Sequence, residues 1–179
     1  MGLGVRKNDA VILRPETPAD HQEIGALVTA TMRANDADLV ALIRESENYV
    51  PDLALVAEVG GVVVGYALFS FVTLEGLVKR SVLALAPLCV RPDQQGQGVG
   101  TDLVRAGLDL ADAHGAPLVT VLGHPGYYRR FGFEHSRRYE IEPPSGVPDG
   151  VFMVKPLSRY SEEFKGRVVY PPAFDVTYP

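Results

Sequence analysis

The sequence contains a single cysteine, Cys89, so no disulfide bond can form within the chain. Its apolar neighbours Leu88 and Val90 suit a buried thiol in a reducing compartment. A nucleophilic cysteine needs a neighbouring base, and the sequence gives no sign of one beside Cys89. We therefore expect a cytoplasmic protein in which Cys89 is a core residue.

Long apolar stretches are also absent. None approaches the roughly 20 residues of a membrane-spanning helix, because glycine, proline or a charged residue interrupts every run. Residues 1–9 include Arg6 and Lys7, but no apolar segment with a cleavage site follows them. Membrane insertion and secretion are therefore disfavoured.

Basic residues are fewer than acidic ones. The 17 Lys and Arg against 22 Asp and Glu give a net charge of −5, which disfavours binding to nucleic acid or anionic lipid. Of the 179 residues, 46% are hydrophobic, enough for one substantial core and too many for a disordered chain. We expect a single domain over residues 1–179, with a core at about 10–155 and a surface-packed tail at 156–179.

Hydrophobic periodicity divides the chain into strands and helices in mixed order. Gly60-Gly61 lies between two runs rich in β-branched and aromatic residues, which predicts a hairpin. Pro87 interrupts an apolar run, which predicts a central strand with a bulge. The predicted strands are 10–13, 53–59, 62–71, 82–90, 118–122, an extended run at 133–141 and a last strand at 151–154, with a looser segment at 72–81. The predicted helices are 24–32, 36–47, 103–114 and 127–131, so we expect a mixed sheet rather than a doubly wound parallel one.

A glycine-rich loop, Gln95 to Thr101, lies between the strand at 82–90 and an amphipathic helix. Glycines let main-chain N–H groups approach an anion without interference from a Cβ atom. The following helix presents unpaired donors and the positive end of its dipole. The loop therefore predicts a phosphate site, and its alternative interpretation is a flexible turn between a strand and a helix.

Two other phosphate motifs do not match this loop. A Walker A motif needs Lys-Ser or Lys-Thr after its last glycine, where this chain has Thr101-Asp102. A dinucleotide fingerprint needs Gly or Ala at its third position, where this chain has Thr101 or Leu103. Kinase-like, GTPase-like and NAD-binding sites are therefore disfavoured.

The pattern Gln95-x-x-Gly98-x-Gly100 resembles the Q/R-x-x-G-x-G/A acetyl-CoA loop of the GNAT N-acetyltransferase superfamily. Residues 87–92 resemble that family's fourth strand and the start of its pyrophosphate loop. Residues 127–133 resemble the F-Y-x-x-x-G-F segment that closes its coenzyme site. The resemblance spans about residues 10–155 and is closest to the YhbS-like group of predicted acetyltransferases.

The resemblance implies a fold, a cosubstrate and a site. The fold class is α/β (α+β), with a mixed, mostly antiparallel central sheet, splayed fourth and fifth strands and about four flanking helices. Tyr128 is implied to be the catalytic proton donor, because a phenol with a pKa near ~10 is protonated at neutral pH. Tyr127 is expected to pack inward. The residues implied to bind acetyl-CoA are Leu88, Cys89, Val90, Gln95, Gly96, Gln97, Gly98, Val99, Gly100 and Thr101.

The general base is unassigned. Many relatives carry a carboxylate on the fourth strand, but residues 82–90 contain none. Gly123-His124-Pro125 stands where the family usually has an asparagine that contacts pantetheine, and His124 is favoured as a turn residue over a base. Three glutamates could act through water but are favoured as solvated surface charges: Glu45, Glu47 and Glu75.

We expect an N-acetyltransferase that transfers an acetyl group from acetyl-CoA to a primary amine by direct attack in a ternary complex. A small-molecule amine or amino acid is favoured over a protein as acceptor. No metal, nucleic-acid or membrane partner is expected, and the sequence is compatible with a homodimer. The alternatives are a non-catalytic acyl-CoA-binding or sensor module and a nucleotide-binding regulatory protein.

A local basic cluster contrasts with the acidic chain. Its arginines could meet the 3′-phosphate of the coenzyme or an acidic acceptor. The simpler interpretation is that they are solvated. The cluster consists of Arg129, Arg130, Arg137 and Arg138.

Overall fold

The computed structural model describes residues 10–177. Residues 1–9, on which the expectation of no signal peptide rests, lie outside the described residues, as do the last two residues of the tail. The strands are β1 (Val11–Pro15), β2 (Ala54–Val59), β3 (Val62–Glu75), β4 (Lys79–Val90), β5 (Leu118–Leu122), β6 (Glu134–His135), β7 (Ile141–Glu142), β8 (Phe152–Pro156) and β9 (Gly166–Val169). The helices are α1 (His21–Thr31), α2 (Asp36–Arg44), α3 (Val99–Ala113) and α4 (Pro125–Tyr128). Across residues 10–177, none of them has the length and apolar character needed to cross a membrane.

The strands form one mixed sheet in the order β1-β2-β3-β4-β5-β8-β6, and β9 pairs with both β3 and β7. Paired strands are antiparallel except for β4 with β5 and β7 with β9. α1 and α2 pack on one face of the sheet and α3 on the other. The predicted mixed, mostly antiparallel sheet with four helices is therefore confirmed.

Alternating side chains of β3 supply both cores. Leu68 is buried with the residues of α1 and α2, and Phe69 is buried with those of α3. Gly107 of α3 lies against Phe69, so that a Cβ atom at this position would lie 2.1 Å from the ring's Cε2. The missing side chain lets α3 approach the sheet closely, which fixes the start of α3 beside the end of β4.

β4 carries the predicted bulge at Pro87. Ala67 of β3 pairs with Leu88 and Phe69 pairs with Leu85, so Ala86 and Pro87 together oppose one residue of β3. β4 pairs with β5 only over 83–85, and the two strands separate beyond that point. The bulge and the splayed fourth and fifth strands are confirmed, and they leave a gap in the sheet next to the glycine-rich loop.

The predicted looser segment at 72–81 is wrong. β3 continues to Glu75 and β4 begins at Lys79, so the two strands form a long hairpin around a three-residue turn. Residues 73–75 also pair with β9 on their other edge. The β9 main chain holds this polar part of the hairpin in place, and the local sequence does not reveal that pairing.

Two expectations for the C-terminal third are also wrong. The extended run at 133–141 is interrupted by a 3-10 turn at Ser136–Tyr139, which ends at Glu140 with a φ of 54°. The strand at 151–154 is not the last one, because β9 follows it in the segment expected to be a surface tail. Val168 and Phe174 of that segment are fully buried in the core shared with α1 and α2. A four-residue strand among prolines and charges gives too weak a pattern to be found from sequence.

Candidate active site

The glycine-rich loop follows β4 directly. β4 ends at Val90, a 3-10 turn spans Pro92–Gln94, and α3 begins at Val99. Gly96 and Gly98 have φ angles of +72° and +93°, in the left-handed region that favours glycine. A Cβ atom at either position would meet nothing within 4 Å. The two glycines therefore make the turn and leave open space beside their main chain.

The start of α3 directs main-chain donors at this space. The helix ladder begins with the hydrogen bond from the Asp102 N–H to the Gly98 carbonyl, at 2.9 Å. The N–H groups of Val99, Gly100 and Thr101 therefore have no partner within the helix. Together with the positive end of the helix dipole, these groups suit a phosphate.

A cavity of about 870 Å³ lies beside the loop. All the residues predicted to bind the coenzyme line it except Gln97, whose Nε2 instead donates to the Asp93 carbonyl at 2.9 Å. The side chain of Gln97 thus forms a hydrogen bond with the preceding turn and does not line the cavity. The lining residues are Met32, Leu88, Cys89, Val90, Gln94, Gln95, Gly96, Gly98, Val99, Gly100, Thr101, Gly123, His124, Tyr127, Tyr128 and Arg130.

The separated edge of β4 faces the gap in the sheet. Arg91 donates its N–H to the Val64 carbonyl of β3, at 2.8 Å. Because successive peptide groups of a strand point to opposite sides, the N–H groups of Leu88 and Val90 point away from β3. On that side the Val90 carbonyl accepts a hydrogen bond from Gln95 Nε2, at 3.0 Å. The gap therefore offers two main-chain donors, and the N–H of Cys89 faces β3 rather than the gap.

Tyr127 and Tyr128 reach the cavity from α4. Tyr128 lies over Gly123, where a Cβ atom would be 2.4 Å from its Cε2, and its ring is edge-on to Phe133 with centroids 5.6 Å apart. The Tyr127 hydroxyl instead reaches the start of α3. Burial raises the pKa of Tyr127, and a hydrogen bond with Thr101 opposes this rise. The Tyr127 hydroxyl therefore lies at the start of α3, whereas the Tyr128 ring lies over Gly123, directly after β5.

A smaller cavity, of about 70 Å³, adjoins the first at Tyr128. Met32, Leu88 and Tyr128 line both cavities. The other residues around the smaller cavity are Asp36, Leu39, Leu85, Ala86, Pro87 and Leu122. The sequence does not reveal this cavity, because the cavity depends on how α1 and α2 pack against the separated strands.

Cys89 is buried, as the sequence predicts, and 5% of its surface is exposed. Burial raises the pKa of its thiol to about 11, against the opposing effect of a hydrogen bond with Thr31. A thiol with this pKa is protonated at neutral pH and is a weak nucleophile. Cys89 thus borders the cavity without the chemistry of an acetyl carrier.

The other candidate bases lie apart from the gap or on its rim. His124 is exposed and lines the larger cavity. Glu75 forms an exposed ion pair with Lys79, at 2.5 Å. Glu45 and Glu47 are exposed and line neither cavity, so the interpretation of the glutamates as surface charges agrees with their positions.

Three arginines of the predicted cluster contact different partners. Arg130 lies over the Tyr127 ring, 4.7 Å from its centroid, and lines the larger cavity. Arg137 pairs with Asp149 at 3.2 Å, and Arg138 pairs with Glu134 at 2.9 Å. Of these arginines, only Arg130 borders the candidate site. Within residues 10–177, no group of three or more His, Cys, Asp or Glu side chains is arranged to hold a metal ion.

Comparison with known sequences identifies the family. The model of the acetyltransferase (GNAT) family matches residues 22–133. The chain is 43% identical over 102 residues to the uncharacterized N-acetyltransferase YjhQ of Escherichia coli K12, and this match spans 56% of each chain. It is 36% identical over 150 residues to the uncharacterized N-acetyltransferase YhbS of the same strain, a match that covers 83% of this chain and 88% of YhbS.

Two crystal structures share the fold. That of the GNAT family N-acetyltransferase YhbS from Escherichia coli in complex with CoA has a TM-score of 0.85 and 30% identity, and 96% of each chain is covered. That of a GNAT family acetyltransferase from Brucella melitensis in complex with acetyl-CoA has a TM-score of 0.77 and 29% identity, with 94% of this chain and 100% of that one covered. The resemblance to the YhbS-like group is confirmed, and the chain belongs to the acetyltransferase (GNAT) family.

Proposed function

We propose that this acetyltransferase moves an acetyl group from acetyl-CoA to a primary amine by direct attack in a ternary complex. The observation that carries the proposal is the meeting of two cavities at Tyr128, one beside the glycine-rich loop and one beside α2. Two cavities that meet can hold two substrates at the same time. The acceptor is proposed to be a small molecule, and the reaction is proposed to take place in the cytoplasm without a metal.

The residues around the larger cavity fit acetyl-CoA. Gly96 and Gly98 leave open space beside their main chain, and the first residues of α3 line the same cavity. We propose that the pyrophosphate binds to residues 95–101 and that the pantetheine arm lies in the gap beside β4. The crystal structures of the two relatives with CoA and acetyl-CoA support this assignment.

The chain's own groups then divide the chemistry. When bound, acetyl-CoA would supply a thioester whose carbonyl carbon is attacked and whose sulfur departs. The N–H groups of Leu88 and Val90 are proposed to donate to different oxygens, the first to the thioester carbonyl as negative charge develops on it and the second to the pantetheine arm. The Tyr128 hydroxyl is proposed to protonate the departing sulfur. Tyr128 suits this role better than Tyr127 because it lies where the two cavities meet.

Direct attack is favoured over an acetylated enzyme by the state of Cys89. It is the chain's single cysteine, and its buried thiol has a raised pKa. An acetyl-cysteine intermediate needs a thiolate and an adjacent base. The amine is therefore proposed to attack the thioester itself.

The proposal is tested by incubating the protein with acetyl-CoA and a panel of primary amines, with CoA release and the mass of the product measured together. We expect a gain of one acetyl group on at least one amine and intersecting lines in double-reciprocal initial-rate plots. Parallel lines together with an acetylated protein would contradict the ternary complex. Tight CoA binding with no turnover on any amine would instead favour the non-catalytic acyl-CoA-binding module.

A further inference from the structure

We propose that Asp36 receives the ammonium group of the acceptor and takes its first proton, and that the preferred acceptor is an apolar amine without a carboxylate next to the nitrogen. This inference rests on the proposed acetyl transfer and names the acceptor side of the same site. From the sequence, Asp36 is predicted only as the first residue of a helix. The structure adds its burial and the cavity that it faces.

Asp36 is a buried carboxyl on the wall of the smaller cavity. It is the first residue of α2, and only 4% of its surface is exposed. Its Oδ2 accepts a hydrogen bond from the Arg33 N–H at 2.9 Å, which closes the turn between α1 and α2. A charged carboxylate in a buried place is costly unless a cation or hydrogen-bond donors compensate it. The Arg33 N–H already supplies part of this compensation, and an ammonium group in the cavity would add to it.

The position of Asp36 relative to the reaction is the second observation. The cavity that it lines shares the wall residues Leu88 and Tyr128 with the proposed coenzyme cavity, and these are the residues proposed to act on the thioester. Its charge also reaches the same strand: burial is the main cause of the raised pKa of Cys89, and the negative charge of Asp36 adds to it. An amine bound to Asp36 would therefore lie in the smaller cavity, next to Tyr128.

The other residues of the smaller cavity determine which chemical group the amine can carry. Apart from Asp36 and the Tyr128 hydroxyl, the lining side chains are apolar, among them Leu39, Leu85 and Leu122. Among the described residues, no lysine or arginine lines this cavity. A carboxylate next to the amine, as in an amino acid, would lie near Asp36 without a counter-charge and would be repelled. Apolar amines are therefore favoured over amino acids as acceptors.

The proton balance is simple. The ammonium gives one proton to the Asp36 carboxylate, which passes it to solvent, and the neutral nitrogen forms the new C–N bond. The C–S bond breaks, the sulfur takes a proton from Tyr128, and Tyr128 regains one from the nitrogen through solvent. The products are an N-acetyl amine, CoA with a free thiol and one released proton.

The experiment compares Asp36→Asn with Asp38→Asn. Asparagine keeps an oxygen that can accept from the Arg33 N–H and removes the charge, and Asp38 is an exposed residue two positions further along α2. The acceptors are matched pairs with and without the carboxylate: phenethylamine with phenylalanine, and 3-methylbutylamine with leucine. We measure kcat and KM for each acceptor, KM for acetyl-CoA, and CoA affinity by calorimetry.

We expect wild-type protein to prefer each amine over its amino acid by about 10-fold or more in kcat/KM, a difference of about 1.4 kcal/mol. Asp36→Asn should lower kcat/KM for the amines by about 10²-fold, with CoA affinity unchanged, and Asp38→Asn should match wild type. Asp36→Glu, which keeps the charge, should retain more activity than Asp36→Asn.

Three results would overturn the inference while leaving acetyl transfer intact. These are unchanged amine kinetics in Asp36→Asn, loss of CoA binding in that variant, which would make Asp36 a structural residue, and a preference for the amino acids. If wild-type protein acetylates none of the four probes or any other amine, the proposed function fails and the inference fails with it.

Discussion

Tyr127 and Tyr128 are adjacent in sequence, but they line different parts of the two cavities. Tyr128 lies on the wall shared by the two cavities, whereas Tyr127 lines only the larger one and reaches Thr101. We expect Tyr128→Phe to lower kcat by about 10² to 10⁴, the usual contribution of a general acid, with little change in KM for acetyl-CoA. The ring packing on Gly123 and Phe133 is kept, so steady-state kinetics on a folded variant is the deciding measurement.

Tyr127→Phe is the matched control. It removes the neighbouring hydroxyl and keeps the ring that packs edge-on to Phe131, with centroids 5.4 Å apart. We expect its effect to appear in CoA binding rather than in kcat. If Tyr128→Phe keeps full turnover while chemistry is rate-limiting, or if Tyr127→Phe is the variant that loses turnover, then Tyr128 is a packing residue.

Gly100 has a steric role that the motif alone does not indicate. A Cβ atom at this position would lie 2.8 Å from the Tyr127 hydroxyl, so an added methyl group must displace that side chain. We expect Gly100→Ala to weaken CoA binding about 10-fold and the double variant Gly100→Ala/Tyr127→Phe to recover part of that loss, because the opposing oxygen is gone. Calorimetry on the four proteins of this cycle measures the coupling. Strictly additive losses would mean that Gly100 is needed for ligand approach and not for Tyr127.

At the scale of elements, a buried ion pair joins the end of β1 to the end of α2. Arg44 donates from Nε and from one terminal nitrogen to the two carboxylate oxygens of Glu16, both at 2.7 Å, and the Tyr49 hydroxyl donates to the same carboxylate at 2.7 Å. The Glu16 side chain is 1% exposed. Burial raises the pKa of Glu16, but the hydrogen bonds from Arg44 and Tyr49 outweigh it, and the pKa is lowered overall.

This pair gives a stability prediction with a pH dependence. Arg44→Met keeps the apolar stem but leaves a buried charge unpaired, so we expect a loss of about 3 to 5 kcal/mol in the free energy of unfolding at pH 7. In wild type the lowered pKa stabilises the fold above the unfolded value of about 4.3, and this contribution is lost as the pH falls through the folded value. In Arg44→Met, burial dominates and raises the pKa of Glu16 instead of lowering it. The Glu16 charge is then neutralised as the pH falls to about 4, so the variant's loss of unfolding free energy relative to wild type should become smaller.

Urea unfolding at the two pH values checks this prediction. The matched control is Arg138→Met, which breaks the ion pair to Glu134 on a side chain that is 70% exposed. We expect that variant to lose less than about 1 kcal/mol, with little dependence on pH. An Arg44→Met deficit of equal size at both pH values would mean that lost packing, rather than the unpaired Glu16 charge, causes it.

The elements that sequence predicts well are those whose signals are local. Gly98 in a glycine-rich loop and Pro87 in an apolar run each indicate a backbone feature without help from distant residues. The structure has the loop, with a positive φ at Gly98, and the bulge at those places. β9 depends on main-chain pairing with residues 73–75, about 90 residues away, for which a short strand carries no local signal; those residues also pair with the start of β4 in the local hairpin. Asp36 was predicted only as a helix start because its burial depends on how α2 packs.

For the whole molecule, the candidate site combines segments that are far apart in the chain. The larger cavity is lined mostly by one continuous stretch, Leu88 to Thr101, and that stretch carries the family motif. The smaller cavity combines the junction of α1 and α2, the bulge of β4, the end of β5 and the end of α4. Sequence could therefore indicate the glycine-rich loop and Tyr128, which the fold brings to one cavity, whereas the smaller cavity required the assembled fold.

The last prediction concerns ligand-induced stability of the whole chain. A ligand that binds only the folded state stabilises it by about 2.7 kcal/mol at 100 times its Kd. For a chain of this size, that should raise the Tm by about 5 to 10 °C. We expect acetyl-CoA to give such a rise, and NAD or ATP at equal concentration to give almost none, because the loop lacks the features of their motifs.

Gly98→Val is the matched variant. Gly98 has a φ of +93°, which strains a β-branched residue in the phosphate loop, so the substitution should remove most of the acetyl-CoA shift whatever the Tm of the variant itself. Differential scanning fluorimetry measures each shift against the same protein without ligand. A rise with NAD and none with acetyl-CoA would contradict the coenzyme assignment, and a full acetyl-CoA shift in Gly98→Val would remove the loop from the binding site.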